Sequence, residues 1–197
     1  MILKVTLETA HEYLAQAAIL AAELWPDNTP DEMLAELKQL PPWDGMVFLA
    51  VEKGVPAGFA QCQLRHDYVE GTHSSPVGYL EGIYVRKDVR GRGLARALLS
   101  ACESWAREQG CLEFASDCAV DNGMSIAFHR SAGFDEANRI VCFTKELRSR
   151  CEQRGWSGAR ASAGPHCGPE TSPSRSEAAR REQAQRDNRG TAKQREL

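Results

Sequence analysis

The run Val85-Arg86-Lys87-Asp88-Val89-Arg90-Gly91-Arg92-Gly93-Leu94-Ala95 constrains the fold more than any other part of this 197-residue chain. An apolar strand ending at Val85 passes through a short charged turn into a glycine-bearing loop. Leu94, Ala97, Leu98, Ala101 and Trp105 then recur at helical spacing, which predicts a helix running to about Gln109-Gly110. Such a junction aims several backbone N–H groups at one spot, backed by the positive end of the helix dipole. Gly91 and Gly93 let the main chain approach an anion closely, while Arg90, Arg92 and Arg96 place charge at the rim. The same junction also serves as a plain connection in α/β proteins. Its spacing is neither G-x-G-x-x-G nor G-x-x-x-x-G-K-[ST], so a dinucleotide site and a P-loop are excluded. A pyrophosphate cradle of another kind is the expectation.

Charge divides the chain in two. Residues 1–147 carry 13 Lys+Arg against 21 Asp+Glu, a net charge of −8, whereas residues 148–197 carry 11 against 6, a net of +5. Apolar content collapses after Leu147, with Trp156 the only aromatic residue beyond it. That composition cannot bury enough surface to offset its ordering entropy. We therefore expect one folded domain, 1–147, and a disordered basic tail, 148–197, with Glu177 to Arg189 its most helix-prone piece. The tail lacks interleaved aromatics and a dense basic block, which argues against a nucleic-acid partner.

Seven cysteines without C-x-x-C spacing argue against a zinc site or a disulfide framework, and no metal is expected. No apolar run is long enough for a signal peptide or a membrane span. The expected location is the cytoplasm.

Strands are predicted at Ile2–Leu7, Val47–Glu52, Ala57–Arg65, Val77–Val85, Leu112–Asp117 and Ile140–Leu147. Besides the helix after the glycine loop, one helix follows a Thr9 cap, with Tyr13, Ala17, Leu20 and Leu24 inward. Another starts at Thr29-Pro30 with Glu32 and buries Met33, Leu34, Leu37 and Leu40. A fourth runs from Asn122 or Gly123 to Ala132 and stops at Gly133. This order gives an α/β (α+β) fold, a mixed, mostly antiparallel sheet flanked by helices.

Arg90, Gly93 and Ala95, in the form R-x-x-G-x-A, resemble the acetyl-CoA loop of the GNAT N-acetyltransferase superfamily. R-H-D-Y-V-E-G at 65–71, S-S-P-V at 74–77, L-E-G-I-Y-V at 80–85, F-A-S-D at 114–117 and G-F at 133–134 narrow the resemblance to aminoglycoside 6′-N-acetyltransferases, over roughly residues 1–147. The resemblance implies acetyl-CoA as co-substrate and N-acetylation of the 6′-amine of an aminoglycoside, conferring resistance. It also implies a homodimer paired through the C-terminal strand. Backbone groups of Ile83, Tyr84 and Val85 would pair with the pantetheine arm, and the N–H groups of Gly91, Arg92, Gly93, Leu94, Ala95 and Arg96 would take the pyrophosphate.

Acetyl transfer needs a neutral amine, donors for an oxyanion and a proton for the leaving thiolate. Glu81 lies two residues before Ile83, which by strand alternation puts both on one face. Asp117 ends the neighbouring strand. Two carboxylates there would hold an ammonium and accept its proton, directly or through water. The −8 domain would steer a polycation toward them. The resemblance places Trp25, Asn28, Tyr68, Glu81 and Asp117 around the substrate, with Asp67 and Glu70 in the same loop as Tyr68. Trp25 could equally be a core residue.

Two positions depart from the family pattern. His129 stands where many relatives have a tyrosine that protonates the thiolate; it could act as that acid or simply line the CoA channel. Asn138 stands where some relatives have an acidic substrate contact. Asn122 could contact CoA or serve as a plain N-cap. Two other readings stay open: the same fold acting on a polyamine or a protein N-terminus, and a non-catalytic CoA-binding module.

Overall fold

The computed structural model describes residues 1–5 and 11–145. A five-stranded sheet runs in the order β1 (Ile2–Val5), β2 (Gly45–Glu52), β3 (Val55–Arg65), β4 (Val77–Val85), β5 (Phe114–Ser116). The first three pairings are antiparallel and β4 pairs with β5 in parallel. Helices α1 (His11–Leu24) and α2 (Pro30–Lys38) join β1 to β2; α3 (Leu94–Glu108) joins β4 to β5, and α4 (Gly123–Ala132) follows β5. This is the expected mixed sheet with helical layers.

The sheet is covered on both faces, which explains why β2 reads as an unbroken apolar run. Val47, Leu49 and Val51 pack with Leu14, Ala17, Ala21, Met33 and Leu37 of α1 and α2. Met46, Phe48 and Ala50 pack with Leu98, Leu99, Cys102 and Trp105 of α3 on the other side. Alternating residues of one strand thus feed two cores.

Local signals place the helix ends. Thr29 caps α2 through a reciprocal box: its hydroxyl accepts from the Glu32 N–H, and the Glu32 carboxylate accepts from the Thr29 N–H at 2.8 Å. A cap of this kind contributes about 1 kcal/mol. Asn122 caps α4 by accepting from the Ser125 N–H at 3.0 Å, and Gly133 closes it.

Several boundaries and faces differ from expectation. Tyr13 is exposed and Leu14 takes its inward place, because the buried stripe of α1 runs through Leu14, Ala17, Ala18 and Ala21. Ala97 is likewise exposed, since α3 turns Leu98, Leu99, Cys102, Trp105 and Ala106 inward. The strand after the glycine helix shortens to Phe114–Ser116, leaving Leu112 exposed. The largest correction is the final strand: residues 140–145 are not in a strand. Apolar alternation suits a ladder but makes none without a neighbour, and here Ile140, Val141 and Phe143 are exposed, Phe143 by 89%. The Thr9 cap, residues 6 and 7 of the first expected strand, the boundary at Leu147 and the tail 148–197 lie outside the described residues.

Candidate active site

The centre of the site is an irregularity in β4. Along the β3–β4 ladder Gln61 is opposite Gly82 and the next residue, Cys62, is opposite Leu80, so Glu81 is the extra residue of a β-bulge. The bulge resets the alternation. Leu80, Ile83 and Val85 join the core under α3, whereas Gly82 meets Trp25 and Tyr84 packs toward α1. Glu81 bonds Arg65 beside Tyr79 (below), away from the α3 core, so Glu81 and Ile83 do not share a face as simple alternation predicts.

Arg65, on β3, donates to Glu81 Oε1 from Nη2 at 2.6 Å and from Nε at 3.2 Å. Its guanidinium also lies 4.4 Å from the centre of the Tyr79 ring. The Tyr79 hydroxyl donates to Asp117 Oδ1. Burial first, then the nearby Asp117 carboxylate, pushes the Tyr79 phenol above its ordinary range. The two sequence-predicted carboxylates are thereby joined through two residues that sequence reasoning missed. Arg65 opens the quoted R-H-D-Y-V-E-G run and Tyr79 alternates with Glu81, but neither has a local signal of partnership.

The parallel pairing of β4 with β5 ends at Leu80 opposite Ser116. Beyond it, residues 81–85 have no strand neighbour on that side among the described residues, leaving a backbone edge at Ile83, Tyr84 and Val85. Asp117 follows the last paired residue, at the mouth of this opening. A single 3₁₀ turn, Lys87–Val89, then leads into the glycine loop.

Gly91 and Gly93 adopt φ of +78° and +79°, and a Cβ on either would meet nothing within 4 Å. Only glycine takes that left-handed conformation without cost, and the space in front is open. The first carbonyl-bound amide of the helix is that of Ala97, on Gly93 O at 3.0 Å, so the N–H groups of Leu94, Ala95 and Arg96 are first-turn donors without an intrahelical acceptor. Leu94 and Ala95 turn their side chains into the core beneath. These features fit a pyrophosphate.

The three arginines do not line the rim as free cations. Arg90 donates to Val85 O at 2.8 Å and lies over the Tyr84 ring. Arg92 pairs with Glu52 at 2.8 Å, and Arg96 donates to Ser131 O at 2.6 Å. The donors of the cradle are main-chain groups, and the arginines brace the elements around it.

A second hydrogen-bonded group joins the β3–β4 loop to the segment after α4. Glu70 accepts from the Tyr68 hydroxyl at 2.8 Å and from Asn138 Nδ2 at 3.0 Å. Asn138 first, then Tyr68, holds the Glu70 carboxyl below its ordinary value. The loop residue Tyr68, itself exposed, and Asn138 are thus brought together by a carboxylate between them. Trp25 packs edge-on to Phe59 at 6.0 Å and against Gly82, so it is a core residue at the border of the site. Asn28 is buried in the turn after α1, its N–H on Trp25 O at 3.0 Å.

His129 lies in the last turn of α4. Its Nδ1 lies 2.8 Å from Ser125 O, an atom that can only accept, so Nδ1 carries the proton. Its Nε2 is buried without a hydrogen-bond partner, and the ring packs against Phe128 and Phe134.

A splayed strand pair, a glycine-turned helix N-terminus beside it and paired carboxylates at the mouth define a transferase for a phosphate-bearing acyl donor. The sequence model of the Acetyltransferase (GNAT) family matches residues 11–134. An aminoglycoside N(6′)-acetyltransferase type 1 of Stenotrophomonas maltophilia is 49% identical over 132 residues, 66% of this chain and 85% of that protein. The structure of an aminoglycoside N-acetyltransferase, AAC(6′)-Iy, in complex with CoA is similar at a TM-score of 0.68 and 35% identity, over 75% of this chain and 95% of that one. The same enzyme with a bisubstrate analogue, CoA-S-monomethyl-acetylneamine, gives a TM-score of 0.68 at 35% identity, over 75% and 98% of the two chains. The chain belongs to the GNAT acetyltransferase family.

Proposed function

We propose that this protein acetylates the 6′-amine of aminoglycoside antibiotics with acetyl-CoA, and so confers resistance. The observation that carries the reading is the placement of Glu81 at the β4 bulge and Asp117 at the open end of β5, beside an empty-fronted N–H cradle. Identity of 49% to a type 1 N(6′)-acetyltransferase supports the same acceptor.

Acetyl-CoA, when bound, supplies an activated thioester. The main-chain edge at Ile83, Tyr84 and Val85 would pair with its pantetheine arm, and the N–H groups from Gly91 to Arg96 would hold its pyrophosphate, with Asn122 at the start of α4 close to the same ligand. Glu81 and Asp117 accept hydrogen bonds from the acceptor amine and pass on its proton, directly or through water. Trp25, Asn28, Tyr68 and Asn138 border the sugar rings, Asn138 and Tyr68 holding Glu70 between them. No helix among the described residues is long and apolar enough to cross a membrane. The reading places the enzyme in the cytoplasm as a homodimer, which sedimentation of the full chain would check.

The test is initial rates with kanamycin, spermidine and a peptide, followed by thiol release. Kanamycin acetylated at the 6′ position is the expected product. Turnover of spermidine beside inert kanamycin would reject the reading in favour of the polyamine alternative. Glu81→Gln should lower kcat at neutral pH by about 10²-fold, the contribution typical of a positioned proton acceptor.

A further inference from the structure

We propose that Tyr79 is a positioning residue whose hydroxyl fixes the Asp117 carboxylate at the β4–β5 opening, so that the acceptor amine meets a placed proton acceptor as it attacks. This role rests on the reading that Asp117 receives that amine.

Asp117 is a carboxylate that its own backbone does little to place. The β4–β5 ladder ends with Leu80 opposite Ser116, a pair tied further by the Ser116 hydroxyl on Leu80 O at 3.1 Å. Asp117 is the next residue, outside the strand, and residues 117–122 are all exposed. An exposed side chain on irregular backbone changes rotamer on a picosecond to nanosecond timescale unless something holds it.

Tyr79 is a residue of the opposite kind. It lies inside β4, opposite Gln63 on β3 and Ala115 on β5, so strands on both sides fix its backbone. The Arg65 guanidinium lies 4.4 Å from the centre of its ring and holds that face. Parallel register then aims the hydroxyl. Ala115 is level with Tyr79, and Asp117 comes two residues farther along, roughly 6.5 Å in a strand, a span that a phenol side chain covers. The hydroxyl accordingly donates to Asp117 Oδ1. Burial first, then that carboxylate, holds the phenol above its ordinary range, so at neutral pH the hydroxyl keeps its proton and remains a donor.

A carboxylate has about four lone-pair sites, so a hydroxyl on Oδ1 leaves capacity for a bond from an amine. Proton transfer in the transition state requires the acceptor to be within hydrogen-bond reach at that moment. Attraction of a polycation, by contrast, follows the charge of the carboxylate, which an untethered Asp117 retains. Fixing the side chain in advance therefore acts on the transition state more than on the ground state.

The test is a double-mutant cycle on kcat and KM for kanamycin and acetyl-CoA, with wild type, Tyr79→Phe, Asp117→Asn and the double variant, each checked by thermal unfolding. Tyr79→Phe keeps the ring beside Arg65 and removes the hydroxyl. It should lower kcat by about tenfold and leave both KM values within about twofold. Asp117→Asn should lower kcat further, and Tyr79→Phe should add nothing in that background, because the carboxylate it places is gone. Asp117→Glu, a change at an exposed position, covers the case in which Tyr79→Phe does not fold. It keeps the charge but carries it past the hydroxyl, so kcat should fall as in Tyr79→Phe while KM for kanamycin holds. The proposal is overturned by equal losses for Tyr79→Phe in both backgrounds, by full kcat in Tyr79→Phe or Asp117→Glu, or by a kanamycin KM that rises as far as kcat falls. Undiminished kcat in Asp117→Asn would remove Asp117 from the chemistry and the proposal with it. Wild-type protein inert toward kanamycin would reject the functional reading itself, and the wild-type assay tells that failure from the others.

Discussion

The indole of Trp25 occupies the space that a side chain at position 82 would need: a Cβ built on Gly82 stands 2.6 Å from both Cζ2 and Cη2. The residue next to Glu81 therefore has no side chain so that an aromatic platform can lie directly on the strand. Gly82→Ala must push the ring away, and overpacking of this kind costs about 1–3 kcal/mol. We expect a lower unfolding midpoint in denaturant, together with a higher KM for aminoglycoside and a KM for acetyl-CoA changed by less than about twofold. An unchanged aminoglycoside KM would mean that Trp25 serves the core alone.

Arg92 and Glu52 make a different kind of prediction. The Glu52 side chain is 27% exposed, its Oε1 accepts from Arg92 at 2.8 Å, and its Oε2 is buried without a partner. Removing the arginine leaves a mostly buried carboxylate unpaired, at a cost of about 1–3 kcal/mol. Arg92→Ala should lose that stability and Arg92→Ala/Glu52→Gln should recover much of it, as read by chemical denaturation. KM for acetyl-CoA should change little in the double variant, because the cradle uses main-chain donors. A large rise there would return Arg92 to the phosphates.

These two pairs show what was legible in the sequence. The limits of β4, the glycine loop with its helix, and α4 between Asn122 and Gly133 follow from local chemistry, namely apolar period, positive-φ glycines and caps. Glu81 and Asp117, expected on neighbouring strands, both come close to Tyr79. What escaped was set by non-local geometry. One extra residue in β4 moves Glu81 off the face of Ile83, and strand alternation cannot reveal a bulge. Arg65 and Tyr79 link the two carboxylates only because β3, β4 and β5 are neighbours. The final strand failed for the opposite reason, since its apolar alternation is present but residues 140–145 have no ladder partner among the described residues.

Glu113 ties the loop before β4 to the start of β5. One of its oxygens accepts from the Ser74 hydroxyl at 2.5 Å, the Ser74 N–H at 2.7 Å and the His73 N–H at 2.8 Å. The Ser74 hydroxyl first, then the His73 amide, holds the carboxyl below its ordinary value of 4.5. Because the folded value is the lower one, the stabilisation is complete above about 4.5 and is lost as pH falls through the folded value. The difference in thermal midpoint between wild type and Glu113→Ala should therefore be flat from neutral pH to about 5 and shrink below it. A difference that persists undiminished at pH 2 would show that the carboxylate charge is not what ties the loop.

His129 offers the sharpest choice between chemistry and packing. A thiolate takes its proton from an exposed N–H, yet the proton of the neutral ring is committed to Ser125 O at 2.8 Å through Nδ1. The other nitrogen, Nε2, is buried with no partner, and the ring lies 5.1 Å from Phe134 and 5.6 Å from Phe128, centre to centre. Such a residue behaves as an aromatic spacer between α4 and the turn after it. His129→Phe keeps the ring and removes both nitrogens, so kcat for acetyl transfer should stay within about threefold of wild type, whereas loss of a general acid typically costs about 10²–10⁴-fold. Measuring kcat with the variant across neutral pH decides it: a fall of two orders of magnitude would give His129 the proton-donor role and require its ring to turn when acetyl-CoA binds.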